Sequence, residues 1–114
     1  MVSCTVWTSF GLKDVDNHKN NNPVDFSIAS LGYDPGWKVG DRFFILKTSN
    51  SGLGYLPEKE MEVFVKQRRH VLKLGKEQDT LEIQIFVEIA EKEDFQQIRE
   101  MIQRLNPGRF ENLE

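Results

Sequence analysis

From Leu81 to Ile89 apolar and polar positions alternate without a break: Leu81, Ile83, Ile85, Val87 and Ile89 against Glu82, Gln84, Phe86 and Glu88. Successive side chains of a strand point to opposite sides, so the pattern predicts a β-strand with one apolar face and one mostly wet face. The preceding Gly75-Lys76-Glu77-Gln78-Asp79 is turn chemistry and predicts a hairpin back to residues 61–74. That segment fits two periods. Met61, Val63 and Val65 alternate as in a strand, whereas Met61, Phe64/Val65, Arg68 and Val71/Leu72 make a ragged helical stripe. Its first half, rich in Phe and Val, and the clear partner strand behind it favour the strand.

A helical period stands out near the end. Phe95, Ile98, Ile102 and Leu105 share one stripe, expected to pack on the sheet. Asp94 with Gln97 three residues on predicts the N-terminal cap, and Asn106-Pro107-Gly108 the stop. Earlier, residues 3–9 are β-branched and aromatic and predict a first strand. Cys4 and Val6 would share one face, Thr5 and Trp7 the other. Residues 10–25 crowd Asp, Asn and Pro together and predict a loop. Phe26, Ile28 and Leu31 predict a short helical turn, broken by Gly32-Tyr33-Asp34-Pro35-Gly36. After Trp37 and a Gly40-Asp41 turn comes Phe43-Phe44-Ile45-Leu46, a short apolar run bounded by charges. It predicts a central strand buried on both faces. Gly52 and Gly54 behind it predict a tight hairpin connection at positive φ.

The 114 residues fit one domain, residues 1–112, with Leu113-Glu114 read as a vector-derived tail. At 39% hydrophobic and 29% charged, the chain can bury a core without staples. A net charge of −3 is the wrong sign for a protein that coats nucleic acid non-specifically, yet leaves room for a local nucleotide pocket. The one cysteine, Cys4, excludes an internal disulfide. It is expected to be a small buried residue of a protein in a reducing, cytoplasmic compartment. Met1-Val2-Ser3-Cys4 leads into polar residues instead of an apolar leader. Nothing approaches the roughly 18 apolar residues of a membrane span, so no membrane partner is expected.

Catalysis has little to stand on. His18 and His70 are distant in sequence with no nucleophile near either, and no second His or Cys stands at metal-ligand spacing. Gly52 and Gly54 lie among hydroxyl residues but lack the Gly-x-x-x-x-Gly-Lys-Ser/Thr of a phosphate loop. The reading is therefore non-catalytic, with no metal or cofactor. Two constellations remain. The cluster Lys66, Arg68, Arg69, His70, Lys73 and Lys76 contains no acid. In a strand, Lys66, Arg68 and His70 fall on one face, Arg69 and Lys73 on the other. Such a stripe is a set of phosphate contacts, or a solvated edge strand neutralised by Glu58, Glu60 and Glu62. Trp7, Trp37, Phe43 and Tyr55 form either an aromatic pocket of the sort that stacks on bases or part of a small core.

The order of segments resembles a known family. A Trp-bearing first strand, DFSIASL, WKVGDRFFILKTSNSGLGYL, and TLEIQIFVEI feeding EKEDFQQIREMI are together similar to the EVE branch of the PUA-like fold. Gly40-Asp41 is the best-matching element, with Gly52 to Tyr55 following at a fitting distance. RFFILKTS taken alone is similar to the opening strand of the related YTH domains. The EVE-like register makes it the second strand and accounts for more of the chain. The chain departs from the family where Lys47-Thr48-Ser49 replaces a tyrosine-histidine-serine type of ending. The resemblance implies an α+β fold, a curved and mostly antiparallel sheet or partial barrel with a C-terminal helix packed on it. It also implies a recognition module with a pocket for a nucleobase, modified or not, in nucleic acid or a nucleotide. Trp7 and Trp37 would stack, and Ser9, Thr48, Ser49 and Asn50 would supply hydrogen bonds. Lys66, Arg68, Arg69 and Lys73 would contact phosphates. The alternative is a protein-interaction or regulatory domain with an SH3-like barrel, the same aromatics holding a peptide, and a small enzyme with a perturbed carboxylate or histidine in a cleft is the third reading.

Overall fold

The computed structural model describes residues 2–15, 19–48 and 53–110, with no side-chain description at 19–22. Its elements are β1 (Val2–Asp14), β2 (Lys19–Leu31), β3 (Arg42–Leu46), β4 (Glu60–Lys73), β5 (Thr80–Ile89) and α1 (Lys92–Leu105). The strands form one mixed sheet in the order β2-β1-β5-β4-β3. β1 runs parallel to β5, and every other pair is antiparallel. The sheet is not closed into a barrel: β2 and β3 are its two edges.

Alternation along the strands decides which face becomes the core. Cys4, Val6, Phe10 and Leu12 of β1, Met61, Val63 and Val65 of β4, and Ile83, Ile85, Val87 and Ile89 of β5 are buried on one side, the inner face. α1 covers one end of it. Ile98 and Ile102 sink into the same cluster, and the Phe95 ring stacks on Phe10 with centroids 5.3 Å apart. Each fully buried aliphatic side chain contributes about 1.5–3 kcal/mol of transfer free energy, so this face holds the sheet and the helix together. The helix starts earlier than an Asp94 cap implies. Glu91 is the N-cap and its side chain makes no capping bond. Asp94 sits inside the first turn, buried and ion-paired with Lys59 at 2.6 Å, where its charge suits the positive end of the helix.

Residues 10–25 are not a loop; the described ones complete β1 and build most of β2. An edge strand tolerates such polar sequence because only one side of it is packed. Pro23, opposite Gly11, fits an edge, where a missing N–H removes no ladder bond if it faces outward. Phe26 to Leu31 is strand, not a helical turn. Val6 pairs with Ala29 but Trp7 with Ser27, leaving Ile28 as an extra residue. A bulge of this kind shifts side-chain parity. Ile28 and Leu31 therefore both pack against the core at a spacing that mimics a helix.

Residues 43–46 are strand, but at the edge of the sheet and not at its centre. Phe43 and Ile45 face Val63 and Met61 on the inner side, while Phe44 and Leu46 are 64% and 59% exposed. Four apolar residues in a row do not distinguish a central strand from an edge strand with an apolar outer side.

The link from β2 to β3 crosses from one edge of the sheet to the other. Residues 32–41 can reach roughly 33 Å when extended, against roughly 19 Å for four inter-strand spacings. The crossing lays Trp37 on the inner face, stacked on Phe43 with centroids 4.2 Å apart. Gly36 and Gly40, at φ of 78° and 95°, bracket this tryptophan in conformations that favour glycine. The link from β3 to β4, residues 47–59, is long instead of a tight hairpin, and Gly52 lies outside the described residues. Within it Tyr55 reaches across to β2, its hydroxyl donating to the Ser27 carbonyl and its ring 5.5 Å from Phe26.

Candidate functional site

The two tryptophans lie on opposite faces of the sheet. Trp7 points away from the core beside Phe86, whereas Trp37 lines the inner side with Val6. They do not build one aromatic pocket, and neither do Phe43 and Tyr55 join Trp7.

The outer face gathers a different set. Trp7 of β1 stands beside Phe86 of β5, which stands beside Gln67 of β4. The next row holds Thr5, Gln84 and Arg69. Ser9 pairs with Asp25 of β2, its hydroxyl donating to the carboxylate. A shallow basin of about 530 Å³ opens among Ser9, Asp25, Lys66, Gln67, Arg69 and Phe86. Trp7 and Phe86 are half-buried, and the indole nitrogen of Trp7 is buried without a hydrogen-bond partner.

A second bulge decides where the basic residues go. Val65 pairs with Val87 and Gln67 with Phe86, so Lys66 is the extra residue. Parity reverses there: Arg68 and His70 share the inner side with Ile85 and Ile83, while Gln67, Arg69 and Lys73 face outward. Lys66 does not group with Arg68 and His70. It reaches Glu88 on the outer face at 3.2 Å. Lys73 pairs with Glu82 at 2.8 Å, and that hydrogen bond is the main cause holding the Glu82 carboxyl below the usual range. The acids that neutralise the cluster are thus Glu82, Glu88 and Asp34, with Glu62 taken by Arg42 at 3.1 Å. Arg69 has no acidic partner among the described residues.

Arg68 is a strut under the crossing segment. Its guanidinium donates to both carboxylate oxygens of Asp34, at 2.9 and 2.5 Å, and to the Trp37 carbonyl at 3.2 Å. Forked pairing of this kind is stronger than a single charged bond. It holds the Asp34 carboxyl below the usual range, with the Gly36 amide adding a further bond at 2.8 Å. A lowered folded-state pKa means that the stability contribution is full above the unfolded value, about 3.9, and is lost as pH falls through the folded value. Asp34→Asn is therefore expected to lose about 1 kcal/mol or less at pH 7, given the half-exposed carboxylate. The gap from the parent should close as urea unfolding is repeated from pH 5 down to pH 2. Parallel curves across that range would remove the pair from the account.

On the inner face Trp37 and Thr48 border a cleft of about 450 Å³ between the β2 and β3 edges, with Val6 at its floor. Ser49 and Asn50 lie outside the described residues. Cys4 is buried in the core, and burial pushes its thiol pKa up. Among the described residues no group of three His, Cys, Asp or Glu could hold a metal ion, and no helix is long and apolar enough to cross a membrane.

Of the residues anticipated from sequence, Trp7, Ser9, Lys66 and Arg69 gather on the outer face around Phe86, and Lys73 lies on the same face at the far end of β4, opposite Thr80. Trp37, Thr48 and Arg68 do not join them. Phe86 and Gln67 were not anticipated. The signal for Phe86 was present: it is the one aromatic on the otherwise polar side of β5, among Glu82, Gln84 and Glu88. Comparison with protein-family models, with curated proteins and with solved structures gives no match.

Proposed function

We propose that this chain is a non-catalytic recognition module that binds single-stranded nucleic acid across the outer face of its sheet. One observation carries the reading. Trp7 and Phe86 stand side by side on neighbouring strands, next to Arg69, a cation without an acidic partner among the described residues. Aromatic faces on a sheet stack on bases of any sequence, and an adjacent arginine supplies a phosphate contact. Ser9, Gln67 and Gln84 stand nearby as hydrogen-bonding groups toward base edges or sugar. The resemblance to EVE-type PUA-like domains points toward the same ligand class. A modified base is the finer form of this reading.

The charge inventory sets the strength. Lys66 and Lys73 are already paired with Glu88 and Glu82, so one or two phosphates are engaged, through Arg69 and at most Lys66. The logarithm of the affinity for a short single strand is then expected to fall with the logarithm of salt with a slope of about −0.7 to −1.4. Arg69→Ala should flatten that slope by about 0.7. Anisotropy of a labelled oligonucleotide at several salt concentrations reads both. A slope that Arg69→Ala leaves untouched would remove Arg69 from the site.

A protein partner is the second reading, favoured by β3. The Ala90 amide bonds to the Glu62 carbonyl, so Glu62 turns its backbone to β5 and its neighbours turn theirs to β3. By alternation the backbone groups of Arg42, Phe44 and Leu46 face the open edge, flanked by exposed Phe44 and Leu46 side chains. An extended peptide can add to such an edge, and its binding would be nearly independent of salt.

A further inference from the structure

We infer that the inner cleft between β2 and β3 is a separate site for a single aliphatic chain ending in a carboxylate. The cleft is open to solvent, and its rim includes the exposed Ala29 and Thr48. A space of about 450 Å³ is the size of a ligand pocket. Residues of both edge strands line it, Ile28 and Leu31 from β2 and Phe43 and Ile45 from β3. Val6, Leu31, Phe43, Ile45 and Leu56 make apolar walls, and Trp37 stacked on Phe43 makes a flat one.

The polar side chains of the lining define the ligand's end. Among the described residues they are Lys47 and Thr48, adjacent at the end of β3. Lys47 is half-buried and has no acidic partner among the described residues. A lysine at the rim of an apolar cleft attracts an anion, and the neighbouring Thr48 adds a hydroxyl donor to that rim. The described lining carries no Asn, Gln, Asp or Glu to read the edge of a base, which sets this cleft apart from the outer face. An apolar chain with one anionic head matches walls and rim together.

Calorimetric titration with linear carboxylates of six, eight and ten carbons, and with the alcohols of the same lengths, tests this. Affinity is expected to tighten about fourfold per added methylene, with carboxylates about five- to tenfold tighter than alcohols through the charged contact. Lys47→Gln should bring the two series together without weakening the alcohols. Ala29, exposed on the edge strand and lining the cleft, offers a filling substitution: Ala29→Phe should abolish binding of both series. Thermal unfolding of Ala29→Phe establishes that it folds, and oligonucleotide binding should be unchanged. Affinity independent of chain length, equal affinity of acid and alcohol for the parent protein, or full binding by a folded Ala29→Phe would each overturn the inference.

Discussion

Phe10→Ala is expected to lower the free energy of unfolding by about 3–5 kcal/mol, a large share of the 5–15 kcal/mol typical of a domain. Phe10 is fully buried and joins three parts of the molecule. Its ring meets Phe26 of β2 edge-on at 5.7 Å and stacks on Phe95 of α1 at 5.3 Å. Truncating it removes apolar burial and leaves a cavity between sheet and helix that neither can fill without moving. The melting temperature should fall by roughly 10–25 °C. Phe44→Ala is the control. Phe44 lies on β3 and is 64% exposed, so its loss should stay within about 0.5 kcal/mol. Urea unfolding of both variants decides the matter. Comparable losses would mean that β3 lies inside the sheet and not at its edge.

Trp7→Ala is expected to weaken binding of a short single-stranded oligonucleotide by about 5- to 150-fold. Stacking of one base on an aromatic ring is worth about 1–3 kcal/mol by alanine substitution, and 1.4 kcal/mol is tenfold in affinity. Trp7→Phe is the cleaner companion. It keeps an aromatic face next to Phe86 and removes the indole nitrogen that is buried without a partner, so the fold should lose little. Binding should then fall by only a fraction of the alanine effect. Trp37→Phe should leave oligonucleotide affinity unchanged, because Trp37 is on the other face, stacked on Phe43. Equal losses for Trp7→Ala and Trp37→Phe would contradict the separation of the two faces.

How much of this was legible in the sequence follows from parity. β1, β5 and the inward half of β4 alternate cleanly, so their buried faces could be read directly, as could the stripe of α1. Two of the misplacements along strands sit at bulges. The extra Ile28 gave β2 a helical spacing, and the extra Lys66 exchanged the faces of the basic residues after it. A bulge is set by pairing with a neighbouring strand, and single-strand periodicity carries no record of it. Strand order is likewise a property of connections: nothing within Phe43 to Leu46 says that β3 is an edge. For the same reason Arg68 looked like a phosphate contact, since its partner Asp34 is brought to it only by the crossing of residues 32–41. Ser9 was legible as an outward residue of β1; Arg69 was not, because unbroken alternation from Met61, Val63 and Val65 would turn it inward, and its meeting with Ser9 at Phe86 takes three strands.

Nucleic-acid binding at the outer face is tested most directly with the two tryptophans, one on each face, as reporters in a single nitrogen–proton correlation spectrum. Adding a short single-stranded oligonucleotide at low salt should move the indole signal of Trp7 and the backbone amides of residues 67–69 and 84–86, and leave the Trp37 indole in place. Decanoate should do the reverse. If the oligonucleotide moves Trp37 and not Trp7, or neither indole at millimolar concentration, the outer face is not a nucleic-acid site.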